Sequence, residues 1–93
     1  YQLFSDVMEN GKTTVLWKKH DFEIVVEYYR LIDVEFVDKL ETAYDEISPK
    51  YKFFLILEHI GKTDKEIMAI MCVADVTIRS IRSRVNKKKK GGA

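Results

Sequence analysis

Apolar residues recur along this chain every three or four positions and almost nowhere alternate, so the pattern predicts helices joined by short turns. One proline and four glycines punctuate the sequence. An opening helix over QLFSDVMEN should stop at Asn10-Gly11, a helix-ending pair. Asp21 is expected to cap FEIVVEYYRLI, in which Phe22, Val25, Val26, Tyr29 and Ile32 form one stripe. Asp33 is expected to cap VEFVDKLETAY, with Phe36, Val37, Leu40 and Tyr44 on its apolar side. Ser48-Pro49 is the clearest start: the serine can accept a bond from an orphan amide, and proline at the first helical position gives up no needed donor. That helix, PKYKFFLILEHI, should run to Gly61 with Phe53, Ile56, Leu57 and Ile60 inward. Thr63 and Glu66 have the spacing of a capping box and open a short helix through Met71. After a break at CVAD, a last helix runs from about Asp75 or Val76 into the lysines.

At about 100° per residue, Ile78, Ile81 and Val85 of this last helix fall together. Val76, Ser80, Ser83 and Lys87 lie opposite, flanked by Thr77, Arg79 and Arg84. The isoleucines would hold the helix to a core and the residues between them would point outward. Small serines on that outward face would let a helix enter a groove about 12 Å wide, with arginines reaching guanine edges or phosphate.

Charge sharpens this picture. Residues 1–47 hold five Lys/Arg and eleven Asp/Glu, a net of −6, whereas residues 48–93 hold eleven and four, a net of +7. The overall +1 therefore hides an acidic front and a basic back suited to a polyanion. With 93 residues, 46% hydrophobic and 33% charged, the chain is expected to be one small all-α globular unit. No apolar run approaches a membrane span and no signal segment opens the chain, so a cytoplasmic protein is expected.

Residues 47–85 resemble the LuxR/GerE-type helix-turn-helix of bacterial transcription regulators. The matches are Ile47-Ser48-Pro49, Gly61, Thr63-Asp64-Lys65-Glu66-Ile67 and Thr77-Ile78. The resemblance implies a DNA-binding domain over 47–87, an acidic helical segment over 1–46 packing on or leading into it, and a basic flexible tail over 88–93. It implies phosphate contacts by Lys65, backbone contact by Thr77, and a base-reading face at Val76, Arg79, Ser80 and Ser83. Arg82, Arg84 and Lys87 complete the expected DNA-binding set, Arg82 and the lysine tail on phosphates. Val76 stands where the family is commonly polar and would suit a thymine methyl. Met68 stands where the family has a small alanine, and Ala74 replaces the usual N-cap serine, leaving Asp75 as a substitute cap. Double-stranded DNA is the implied partner, bound by a homodimer, although the further helix the family uses for dimer contacts has no counterpart in NKKKKGGA. Chains with a similar acidic, Trp-containing helix pair before the Ser-Pro helix lie at the ends of larger bacterial regulators. An N-terminal sensor domain or another regulator is thus expected beyond Tyr1.

Other signals read more simply. GKTT at 11–14 is not a phosphate loop, because Asp6 stands where that loop needs glycine. His20 and His59 have no Cys or His at ligand spacing, so no metal is expected. Tyr28-Tyr29 and Tyr51-Phe53-Phe54 could stack bases, but their helical spacing favours the core. Cys72, in IMAIMCV, reads as a buried thiol. No catalytic constellation and no cofactor motif is evident; Glu23 and Glu27 form a solvated face. Lys87–Lys90 read either as a solvated tail or as an arm following phosphates. The leading expectation is sequence-specific binding of double-stranded DNA in transcriptional regulation, with the helix of about 75–87 in the major groove. The alternatives are a protein-interaction module that uses the helix pair as scaffold, and a sigma region 4-like domain.

Overall fold

The computed structural model describes residues 1–90, which form six helices: α1 (Gln2–Glu9), α2 (Lys19–Ile32), α3 (Val34–Ala43), α4 (Pro49–Ile60), α5 (Asp64–Met71) and α6 (Asp75–Lys87). Among the described residues there is no strand beyond one isolated bridge, Tyr44 with Lys89. The all-helical class follows from the apolar spacing, and most helix ends follow from their caps. Ser48 Oγ accepts from the Tyr51 amide at 3.3 Å, and Thr63 and Glu66 complete a reciprocal capping box at 3.2 and 2.8 Å. Gly61, at φ 103°, ends α4 in the left-handed region that glycine enters without a Cβ penalty. The next amide, Lys62, closes back on the Leu57 carbonyl at 3.0 Å.

Helix α4 is the axle. Phe53, Phe54, Ile56 and Leu57 are all fully buried, so this helix is covered over more than the single stripe its spacing suggested. Phe53, Phe54 and Leu57 pack with Val7, Phe22, Val25, Ile67, Met71, Ile78, Ile81 and Val85, bringing α1, α2, α5 and α6 onto one core. Ile56 faces the other way and joins Val26, Tyr29, Val37 and Leu40 of α2 and α3. The acidic front and the basic back therefore fold around the same helix. Trp17, Phe22 and Phe53 form an aromatic cluster across that join, with centroids 5.2–5.8 Å apart.

Asp33 serves two helices at once. Its amide donates to the Tyr29 carbonyl to end α2, and its carboxylate accepts from the Phe36 amide to begin α3. The same carboxylate meets His59 Nε2 at 3.0 Å, and the His59 ring stacks on Phe36 at 3.8 Å, pinning α3 to the end of α4. The Phe36 amide first, then His59, hold the Asp33 carboxyl below its ordinary range. Arg30 binds Asp38 and Glu41, the latter at 2.8 Å, and so fastens α2 to α3.

Five sequence expectations change. Asp21 is not the cap of α2: the helix begins at Lys19, and Asp21 sits inside the first turn, where its carboxylate accepts from the Lys18 amide at 2.8 Å. Ile32 is 53% exposed, since the chain turns at Asp33 and leaves it outside the corner. Ile60 is exposed at the last position of α4, beside the turn that leads away from the core. Cys72 is exposed rather than buried: it takes the left-handed conformation, φ 54°, that ends α5, and Met71 fills the core instead. Residues 88–90 are not a loose tail. The Asp45 amide donates to the Lys88 carbonyl at 2.7 Å and the Lys90 amide to the Ala43 carbonyl at 2.8 Å, so the lysines are strapped to the segment after α3. The remainder of the expected tail, 91–93, lies outside the described residues.

Candidate nucleic-acid interface

Helices α5 and α6 are joined by only Cys72, Val73 and Ala74. Ile67 and Met71 of α5 and Ile78, Ile81 and Val85 of α6 are buried, so each helix packs an apolar stripe on the shared core and leaves its other side to water. Ala74 stands at the N-cap of α6 and offers no side-chain acceptor. Asp75 does not replace it: it is the first helical residue, and its carboxylate lies 3.7 Å from Arg79.

The outward face of α6 gathers Val76, Arg79, Ser80, Ser83 and Lys87. Val76 is 60% exposed, an apolar side chain held in water at the start of the helix. The Arg79 side chain is 72% exposed and tied only by the long i,i+4 pair to Asp75, which water screens. Ser80 is half-buried, while Ser83 and Lys87 are exposed. Thr77 is half-buried beside this face. Arg84, at its other edge, donates to the Tyr51 hydroxyl at 3.0 Å and is steadied by α4. Lys65 is exposed on α5. Among the described residues neither Lys65 nor Lys87 has a carboxylate within ion-pair distance.

Arg82 is placed differently from the rest of the expected set. Its guanidinium binds the Glu58 carboxylate at 2.6 and 2.9 Å and the Asp64 carboxylate at 3.0 Å, and lies 5.6 Å from the centre of the Phe54 ring. One side chain of α6 thus ties together α4 and the first turn of α5. Asp64, then Glu58, hold the guanidinium firmly protonated, and Arg82 in turn keeps the Asp64 carboxyl below its ordinary range. A phosphate would have to displace two carboxylates to reach it, so Arg82 acts here as an interhelical clasp. Spacing alone did not disclose this, because Glu58 is 24 positions away.

Arg82→Ala should therefore lower stability by about 1–2 kcal/mol, a figure already discounted for solvent around these partly exposed partners. Urea denaturation checks it. Duplex affinity of the folded protein should stay within about twofold on the same charge-screening grounds. A large affinity loss at unchanged stability would return Arg82 to phosphate contact.

Three other partners were not evident from sequence: Tyr51 under Arg84, and Phe54 with Glu58 under Arg82. Among the described residues no group of His, Cys, Asp or Glu side chains converges as metal ligands would, and no helix is long and apolar enough to cross a membrane. The sequence matches no protein-family model, and no curated protein or solved structure matches it significantly.

Proposed function

We propose that this chain binds double-stranded DNA sequence-specifically, with α5 and α6 acting as a helix-turn-helix of the LuxR/GerE type in transcriptional regulation. One observation carries the reading: α6 is anchored by Ile78, Ile81 and Val85 and turns outward a face of small, hydroxyl and cationic side chains bearing an exposed valine. On such a face the exposed Val76 would suit contact with a thymine methyl. Val76, Arg79, Ser80 and Ser83 would meet base edges. Lys65, Thr77, Arg84 and Lys87 would meet the backbone.

The test is a salt titration on random duplex followed by selection from a randomised duplex pool. Steep weakening with salt, together with convergence on a motif, supports the reading. Affinity weaker than about 10⁻⁴ M at low salt, below ordinary non-specific binding, rejects it. Lys65→Ala should weaken binding several-fold on all duplexes alike and flatten the salt dependence by about one contact. A change in the selected motif would contradict a phosphate role for Lys65.

A second reading, a protein-docking module, draws support from Leu31, Ile32 and Val34, which are 82, 53 and 53% exposed around the α2–α3 corner. A partner that protects this corner while the chain ignores duplex would favour it.

A further inference from the structure

The GKTT turn between α1 and α2 has no role in the reading so far, yet it is held firmly in place. Gly11 takes φ 68° to reverse the chain, and the Asn10 and Lys12 amides both close on the Asp6 carbonyl, at 3.2 and 3.1 Å. Thr14 is buried at 5% exposure, and its amide donates 2.8 Å to the Ile70 carbonyl of α5. The loop is therefore fastened at one end to α1 and at the other to the scaffold helix of the proposed reader.

This fastening has an electrostatic consequence. Lys12 and Thr13 come to line a cleft of about 290 Å³, whose far wall is Lys62, Glu66, Ala69 and Ile70. Glu66 accepts from the Thr63 amide at 2.8 Å, and that bond first, with Lys62 in smaller part, holds its carboxyl below its ordinary range, so Glu66 offsets part of the charge of Lys62 without a close ion pair. Among the described residues neither Lys12 nor Lys62 pairs with any carboxylate. Lys65 stands in the first turn of α5, three positions beyond Lys62. Lys12, Lys62 and Lys65 thus bring positive charge from the α1–α2 loop to the start of α5, although Lys12 belongs to the acidic half of the sequence.

We propose that Lys12 and Lys62 form a second phosphate-contact site, holding DNA backbone beyond the stretch that α6 reads. This rests on the DNA-binding reading and extends it: the front of the chain would contribute to the footprint, through a pre-positioned loop rather than a flexible arm. The occupant is a nucleic-acid backbone because cations brought together from a fastened loop and the turn before α5 suit regularly spaced phosphates.

The experiment compares the full chain with Lys12→Ala, Lys62→Ala, their double variant, and Lys39→Ala on α3 as a control for lost net charge. Each is titrated with a random duplex across a salt series, and thermal unfolding confirms that each is folded. Every phosphate contact removed should reduce the slope of log affinity against log salt by about 0.9, and weaken binding at 0.1 M salt roughly fivefold to tenfold. Lys39→Ala should leave the slope unchanged, and Lys12→Arg should restore it. If the parent binds steeply and the Lys12 and Lys62 variants behave like Lys39→Ala, the second site is refuted while the reader stands. If the parent binds no duplex, both fall together.

Discussion

Phe53→Ala should destabilise the chain by about 3–5 kcal/mol, the usual cost of truncating a fully buried phenylalanine to leave a cavity. That is a large part of the roughly 5–15 kcal/mol available to a small domain. The size follows from where Phe53 sits: it is wholly buried on α4 and touches Trp17 and Phe22, so it joins the front helices to the helix pair. The same geometry fixes how the loss should appear. Trp17 fluorescence reports the front and far-UV circular dichroism reports all six helices, and in urea both should shift to a lower midpoint together. Separated transitions, with Trp17 signal lost while half of the helical signal survives, would mean that the two halves do not share a cooperative core.

The sequence made the helices legible because its start and stop signals are local. Ser48-Pro49, the Thr63 and Glu66 pair and Gly61 each act within four residues, and each lies where its chemistry predicts. The errors share a different cause. Cys72 continues an apolar run, so spacing reads it as core, but chain reversal after α5 puts it in a left-handed turn and rotates it outward. Ile32 fails in the same way at the corner held by Asp33. Phe54, whose spacing favoured the core, lay outside the predicted inner stripe because a helix surrounded by neighbours has no single such stripe.

Among the candidate contacts, periodicity predicted which residues of α6 face outward but not which were already engaged. Arg79 and Arg82 look alike in sequence. One is 72% exposed with a weak local pair, while the other is held by carboxylates from α4 and α5. The strap of Lys88–Lys90 on Ala43–Glu46 likewise depends on distant backbone groups that leave no mark in a run of lysines. Its consequence reaches the proposed reader, because α6 leads directly into the strap. The C-terminal end of the helix is then tied to the front half as well as packed on α4.

That support gives Arg79 a defined direction, and Arg79→Ala should cost about 1–3 kcal/mol at the preferred DNA sequence, the range for losing a good arginine–guanine contact. Three features of α6 set the expectation. The guanidinium is exposed, its pair with Asp75 is long, and the neighbouring Ser80 and Ser83 are small enough to let the helix approach base edges. The loss should depend on sequence: a duplex carrying the selected motif should lose most, and a scrambled duplex at the same salt should lose little. Paired titrations of the parent and the variant measure both. A uniform loss on both duplexes would make Arg79 a phosphate contact, and no loss on either would remove it from the interface. Since Arg79 does not contribute to the core, its effect should come without the fall in urea midpoint expected for Arg82→Ala. Opposite outcomes for these two arginines, one on affinity and one on stability, would separate a residue that reads DNA from one that holds the reader together.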